Sequence, residues 1–150
     1  MIITRALLLK MCNRIYNELG PYHTEITYQN AMEHELSKSG IEYNRERQIS
    51  VIYDGSVVGH GYIDFLIRGK TANYPVEFKA ISTNLFNTDG EMNKQYTAKK
   101  HHYQLIKYLQ SLNSEKGFLI NFNIGPKSKL EVLEIINPYL GDDGDEWLTV

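Results

Sequence analysis

The residues of this chain best suited to chemistry are Asp64, Glu77 and Lys79, which carry two carboxylates and one ammonium group. They lie in two stretches that alternate as β-strands do, at residues 62–67 and 74–80, with turn-forming residues between them. Carboxylate oxygens suit hard divalent cations, and a fixed lysine can stabilise negative charge that develops in a reaction. The spacing therefore predicts a β-hairpin that brings a cation-binding pair and a lysine together.

The predicted register of this hairpin sets the two carboxylates against each other. A hairpin symmetric about its turn places Arg68 opposite Asn73, and therefore Asp64 opposite Glu77. Opposed residues have Cβ atoms ~4.5–5.5 Å apart, and like charges at that distance are destabilising. Lys79 shares the face of Glu77 because side chains alternate along a strand. A bound divalent cation explains the pair best, while a solvated face or a salt-bridge network with Lys79 stays open.

The other face of the same hairpin is expected to be apolar, so the charged residues are not needed to complete the core. The residues predicted to share that apolar face are Ile63, Phe65, Ile67, Val76, Phe78 and Ala80.

Two predicted helices supply further polar groups. Glu25 begins a stripe of otherwise apolar residues with Tyr28, at spacings that place them on one helix face. It either complements the helix dipole or reaches the same cation or attacking water from across the sheet. In a later helix, Gln104 and Tyr108 lie one turn apart and share a face.

A modest basic patch accompanies the later helix, and it permits phosphate binding without demanding it. Its residues are Lys94, Lys99, Lys100 and Lys107, with His101 and His102 among them. A histidine site built from His60, His101 and His102 is a remote alternative, because adjacent histidines point to different faces of a helix.

Composition indicates an ordinary globular chain, with 42% hydrophobic and 23% charged residues and a net charge of −2. The single cysteine, Cys12, excludes a disulfide framework and a cysteine-based zinc site. The apolar start of the chain is too short to span a bilayer. We therefore expect an intracellular, soluble protein, cytoplasmic or nuclear, that is not associated with a membrane.

The pattern along the chain predicts one α/β (α+β) domain over residues 1–150, with elements in the order α-α-β-β-β-α-β-β. The predicted helices cover about 4–19, a segment running to Lys38 that Pro21 can start, and about 98–113. The predicted strands lie around 41–53, 60–68, 74–81, 118–122 and 130–136. A polar loop or insertion is expected at about 82–97, and an acidic tail at 141–150.

Taken in order, these motifs resemble the PD-(D/E)xK nuclease superfamily, and more narrowly its GxxExxY family. The segments that carry the resemblance are Leu19 to Tyr28 with Glu25 and Tyr28 at the named positions, Tyr62-Ile63-Asp64, Val76-Glu77-Phe78-Lys79-Ala80, Gln104 to Leu109, and Gly117-Phe118-Leu119-Ile120-Asn121-Phe122. The match covers roughly residues 15–123. Tyr22 stands where the family has a glycine, and the segment after Lys79 is longer than usual.

The resemblance implies a restriction-endonuclease-like core, a central mixed sheet flanked by helices, and a metal-dependent nuclease that cleaves DNA in preference to RNA. It implies Mg²⁺, with Mn²⁺ as a substitute, held by Asp64, Glu77 and the backbone carbonyl of Phe78. Lys79 would act on the attacking water or the transition state. The supporting catalytic residues would be Glu25, Gln104 and Tyr108, and the nucleic-acid contacts would come from Lys99, Lys100 and Lys107.

Other classes of function stay open on the sequence. One is a nuclease-fold module that binds nucleic acid or a protein without cutting, and another is a metal-free structural domain. A homodimer or an unidentified protein partner is compatible with either class.

Overall fold

The computed structural model describes residues 2–85, 96–125 and 129–140, without the side chains of residues 96–99. The elements in chain order are α1 (Arg5–Leu19), α2 (Glu25–Lys38), β1 (Tyr43–Tyr53), β2 (Ser56–Arg68), β3 (Asn73–Lys79), α3 (Tyr96–Leu112), β4 (Lys116–Phe122) and β5 (Leu130–Ile136). This order confirms the predicted one. The predicted acidic tail and most of the predicted insertion lie outside the described residues.

One five-stranded sheet runs through the fold in the order β1-β2-β3-β4-β5. Neighbouring strands are antiparallel except β3 and β4, which are parallel. A parallel pair needs a crossover connection, and α3 lies within the segment that makes this one. The predicted mixed sheet flanked by helices is confirmed, with β3 at its centre.

The alternation of β4 separates two apolar layers. Phe118, Ile120 and Phe122 pack in the cluster that contains the buried residues of α1 and α2. Leu119 packs instead with Leu105 of α3. The sheet is therefore covered by α1 and α2 on one face and by α3 on the other.

The junction between α1 and α2 is tied together by Tyr28, which is fully buried. Its hydroxyl donates to the Gly20 carbonyl at 2.6 Å, and its ring stacks on Phe122 with centroids 4.4 Å apart. Gly20 has φ 74, a conformation that glycine adopts without strain. The second helix begins at Glu25 and not at Pro21, because the chain first turns at Gly20 and then meets its N-cap.

The predicted register of the β2–β3 hairpin is confirmed. Arg68 pairs with Asn73, and the Gly69 N–H donates to the Ala72 carbonyl at 2.8 Å across the turn.

The predicted apolar face of the hairpin is wrong at Ile63, which packs with Ile49 and Tyr108 in a separate cluster. In β1, Glu46 has φ 49, and the ladder pairs the residues on either side of it but not Glu46 itself. The regular alternation of faces is interrupted there, between Ile63 and Phe65. None of the described helices is long and apolar enough to cross a membrane.

Candidate active site

Asp64 and Glu77 hold the end of the β2–β3 hairpin through their side chains. The backbone ladder between these strands ends at the pair Phe65 and Val76. Beyond it, the Asp64 N–H donates to Glu77 Oε1 at 3.3 Å, and the Phe78 N–H donates to Asp64 Oδ2 at 2.7 Å. Each carboxylate therefore takes a backbone N–H from the opposite strand, and the two acidic groups lie side by side.

Both carboxyl groups lie in surroundings that disfavour their negative charge. Glu77 is only 3% exposed. Burial, together with the charge of Asp64, raises the pKa of Glu77 to about 8. Burial also raises the pKa of Asp64, against the opposing effects of the Phe78 N–H and the Lys79 charge. The pair is destabilised in its doubly ionised form because desolvation and like-charge repulsion act together.

The salt-bridge network considered from the sequence is not formed. Among the described residues, the ion pairs with N···O distances of 4.0 Å or less join other side chains. Lys79 lowers the pKa of both carboxyl groups from a distance, but it contacts neither. Neither acidic group therefore has a Lys, Arg or His ion-pair partner in the described part of the chain.

The two carboxylates offer oxygen ligands, which hard divalent cations prefer. Mg²⁺ in particular usually takes only one or two carboxylates from the protein and keeps several waters. One oxygen of Asp64 and one of Glu77 accept a backbone N–H, which leaves the second oxygen of each without a backbone partner. Within the described ranges, no three His, Cys, Asp or Glu side chains are grouped to hold a metal ion. A cation here would therefore take two carboxylates from the protein and complete its shell with other oxygens.

Lys79 and Glu25 reach the pair from two further elements. Lys79 ends β3 on the sheet face that α3 covers, the same face as Glu77. Glu25 is the first residue of α2 and is half-buried. Burial raises the pKa of Glu25, Lys79 lowers it, and Asp64 raises it further. Glu25 is thus within electrostatic range of the other site residues.

A chain of polar side chains orients Glu25 and had no distinct signal in the sequence. Gln29 Nε2 donates to Glu25 Oε1 at 3.3 Å, and Arg45 Nη2 donates to Gln29 Oε1 at 3.0 Å. Arg45 is itself fixed by an ion pair of 2.6 Å with Glu33 and by its position 5.3 Å from the Phe65 ring centroid. The first residue of α2 is therefore tied to β1.

Gln104 and Tyr108 form the α3 side of the site. Gln104 Nε2 donates to the Tyr108 hydroxyl at 2.8 Å. Burial raises the pKa of Tyr108, the Gln104 hydrogen bond opposes this, and the nearby Glu77 charge adds to it. Tyr108 lies so close to β2 that a Cβ at Gly61 would be 2.8 Å from its ring. Hydrogen bonds and electrostatic effects thus connect all six residues predicted to be catalytic into one group.

A model of the PD-(D/E)XK nuclease superfamily matches residues 3–134, which is most of the chain. This chain belongs to the PD-(D/E)XK nuclease superfamily. No curated protein matches the chain. Among solved structures, the crystal structure of SSO0001 is similar to it, with a TM-score of 0.51 and 24% identity over 73% of this chain and 49% of that one. The chain spans about half the length of SSO0001, and the likeness concerns the fold.

The lysines predicted to bind nucleic acid in this PD-(D/E)XK protein are placed unequally. Lys100 is exposed and close enough to His101 to lower the pKa of that imidazole. Lys107 is exposed on α3, and none of the described interactions joins it to the site. Lys99 lies in α3, but its side chain is outside the described part of the chain.

Glu46 is a residue near the PD-(D/E)XK carboxylates that sequence reasoning missed. It is exposed, lies in β1 beside Asp64, and raises the pKa of Asp64 through its charge. Its positive φ of 49 marks an irregularity that no sequence pattern indicated, since glutamate is not a residue that favours this conformation.

A second feature that sequence reasoning missed is the Asn121 clamp, the buried hydrogen bonds that join Asn121 to Ile81 and Glu131 beyond the end of β3. Its side-chain oxygen accepts the Ile81 N–H at 3.1 Å, and its amide donates to Glu131 Oε1 at 3.1 Å. The Glu131 carboxylate in turn accepts the Leu85 N–H at 2.9 and 3.0 Å. The only available signal was an asparagine inside an otherwise apolar strand. The clamp fixes the backbone segment that follows Lys79.

Proposed function

We propose that this protein is a metal-dependent nuclease that hydrolyses phosphodiester bonds, with DNA preferred over RNA. The observation that carries the proposal is the pair of half-buried Asp64 and buried Glu77, which lie side by side with raised pKa values and have no ion-pair partner among the described residues. Such a pair is costly in a purely structural role. Membership of a nuclease superfamily and the convergence of Lys79 and Glu25 on the pair support the same conclusion.

Asp64 and Glu77 would hold Mg²⁺, or Mn²⁺ in its place, with the backbone carbonyl of Phe78 as a third oxygen. When bound, a divalent ion supplies a water of lowered pKa and neutralises charge on the phosphoryl oxygens. The cation would also offset the charge of Asp64, which together with burial raises the pKa of Glu77.

The remaining residues would position the reacting groups. Lys79 would stabilise negative charge on the phosphoryl oxygens, since it contacts neither carboxylate and is free to face a substrate. Glu25 would orient the attacking water, held in place by Gln29. Gln104 and Tyr108, which share a hydrogen bond, would support Lys79 from α3. Each contribution depends on groups preorganised before the substrate arrives.

Within the superfamily, we propose the GxxExxY family, on the strength of Glu25 and Tyr28 at the start of α2. The nucleic acid would lie along the α3 side, where Lys99, Lys100 and Lys107 would contact phosphates without reading sequence. The order of the motifs along one chain favours a single nuclease domain.

The decisive experiment is cleavage of labelled DNA and RNA, single- and double-stranded, by purified protein with Mg²⁺ or Mn²⁺. Lys79→Ala should lower the cleavage rate by at least about 100-fold, because removing one preorganised charge costs about that much. The matched control is Lys70→Ala, which removes the same charge from the exposed hairpin turn and should cleave as the wild type does. Melting curves check that both variants are folded.

Cleavage by Lys79→Ala at the wild-type rate would overturn the assignment of Lys79. A wild-type protein that binds nucleic acid with metal present and cleaves none of the substrates would instead support the non-catalytic binding module.

A further inference from the structure

His101 lies on the same stripe of α3 as the two residues already placed in the site. It precedes Gln104 by three residues and Tyr108 by seven, and such spacings share one helix face. Its pKa is lowered by burial first, then by the charges of Lys79 and Lys100. His101 is therefore within electrostatic range of both the lysine at the carboxylate pair and the exposed Lys100 of α3.

The two nitrogens of this half-buried ring differ. Nδ1 is buried and has no hydrogen-bond partner among the described residues, and no described hydrogen bond involves Nε2, which is not among the buried atoms. A neutral imidazole carries one donor and one acceptor. Because an orphaned buried N–H is rarer than an orphaned acceptor, we assign the proton to Nε2. The accessible nitrogen is then an N–H donor.

The charges around His101 select the class of group that this donor would meet. Lys79 and Lys100 are both close enough to lower its pKa, and both attract anions. A cation on Asp64 and Glu77 would add a third positive charge nearby. A nucleic-acid strand that contacts both Lys100 and the carboxylate pair would bring its phosphates near the imidazole, so a phosphate is the group that Nε2 would meet.

We propose that His101 donates a hydrogen bond from Nε2 to a phosphate of the bound strand, at a place where Lys100 and Lys79 also attract that phosphate. The inference rests on the proposed nuclease function, since it takes a nucleic-acid strand as the substrate. It makes His101 a substrate-binding residue, and it does not require a histidine metal site.

The test is the affinity for a fluorescently labelled oligonucleotide, measured by anisotropy with Ca²⁺ in place of Mg²⁺ to support binding without turnover. His101→Ala should weaken binding about tenfold or more, as expected for the loss of a hydrogen bond to a charged group. His101→Gln keeps a neutral N–H donor and should recover part of the loss. A purely structural role for His101 predicts no such recovery.

The chain offers a matched control one residue away. His102 is also half-buried with an unpartnered Nδ1, but its pKa is lowered by burial and not by a lysine. His102→Ala should bind within twofold of the wild type.

Salt dependence separates a neutral contact from a charged one. Lys100→Ala should reduce the slope of log Kd against log salt by about one ion, whereas His101→Ala should leave that slope unchanged. Equal losses for His101→Ala and His102→Ala, or wild-type binding by His101→Ala, would overturn the proposal.

Cleavage assays on the same variants keep the two proposals apart. If the wild type binds and never cleaves, the nuclease function fails while the His101 contact stands. If the wild type cleaves and His101→Ala binds and cleaves equally well, the His101 contact fails while the nuclease function stands. A wild type that binds none of the oligonucleotides would overturn both.

Discussion

At the scale of single residues, Asp64 connects most of the groups in the site. Its backbone N–H binds Glu77, its side chain binds the Phe78 N–H, and its charge raises the pKa of Glu25. It also lies beside the irregularity at Glu46. Its carboxylate therefore accepts a structural hydrogen bond and also repels Glu77. Replacing the carboxylate with an amide keeps the acceptor and removes the charge.

Asp64→Asn should raise the melting temperature of the metal-free protein by about 2–4 °C and abolish stabilisation by Mg²⁺ or Mn²⁺. The amide oxygen can still accept the Phe78 N–H, while the repulsion of Glu77 is lost, and about 1 kcal/mol shifts Tm by that amount in a chain of this size. A cation that binds only the folded wild type raises its Tm by mass action. Thermal melting with EDTA and with each metal measures both effects.

Asp54→Asn is the matched control for this substitution. Asp54 is exposed in the β1–β2 turn with φ 50, where asparagine is equally tolerated. The control should melt like the wild type under both conditions. Undiminished metal stabilisation of Asp64→Asn would place the cation elsewhere.

At the scale of elements, the contact between α3 and β2 sets where the Gln104–Tyr108 pair can lie. The approach is close because Gly61 has no side chain, and the Tyr108 ring occupies the space that a Cβ at this position would need. Gly59 on the same strand is different, since a Cβ there would meet Val51 at 3.7 Å, an ordinary contact distance. The two glycines therefore allow a controlled test of this packing.

Gly61→Ala should destabilise the protein by about 1–3 kcal/mol, the usual cost of overpacking, and should lower cleavage by displacing Tyr108. Gly59→Ala should leave stability and cleavage close to those of the wild type. Urea unfolding and initial rates of cleavage measure the two effects. Equal behaviour of both variants would show that the α3–β2 approach is looser than the structure indicates.

The helices, the strands and the hairpin register could be predicted from the sequence. The tertiary contacts that hold the site residues in place could not. The hairpin register followed from turn symmetry, and the position of Asp64 opposite Glu77 followed from that register. The tie of Glu25 through Gln29 to Arg45 could not be predicted, because it joins a helix to a strand through tertiary contacts. The packing of Leu85 with the apolar residues of α3 and β4, and the hydrogen bond from its N–H to Glu131, are also tertiary, and the sequence indicated only a polar loop there.

At the scale of the whole molecule, the site is assembled from α2, β2, β3 and α3, so its electrostatics bear on global stability. Glu77 has a folded-state pKa of about 8 against an ordinary value of 4.5, and His101 has one of about 4 against 6.5. The folded state therefore binds the Glu77 proton more tightly than the unfolded chain and the His101 proton less tightly. As pH rises, the raised pKa of the acid lowers the free energy of unfolding, whereas the lowered pKa of the base raises it.

Metal-free stability should therefore fall as pH rises from 6.5 to 8. Below 6.5 the gain from His101 as pH rises offsets the loss from Glu77. Above 6.5 the histidine of the unfolded chain also loses its proton, so that gain fades while the loss from Glu77 continues. The slope approaches about 1.4 kcal/mol per pH unit at most. Unfolding free energies in EDTA across this range should show the fall in the wild type and a much flatter profile in Glu77→Gln. A wild-type profile that is flat from 6.5 to 8 would contradict the raised pKa.

The parallel pairing of β3 with β4 has a consequence for the order in which the protein folds. The β2–β3 hairpin can close as soon as its short turn forms, but β3 meets β4 only after α3 has been synthesised and the crossover has closed. A nascent chain on the ribosome can thus display both carboxylates before it has the helix that completes the site. On the proposed function, the ability to cleave should therefore arise late in synthesis, with the docking of α3.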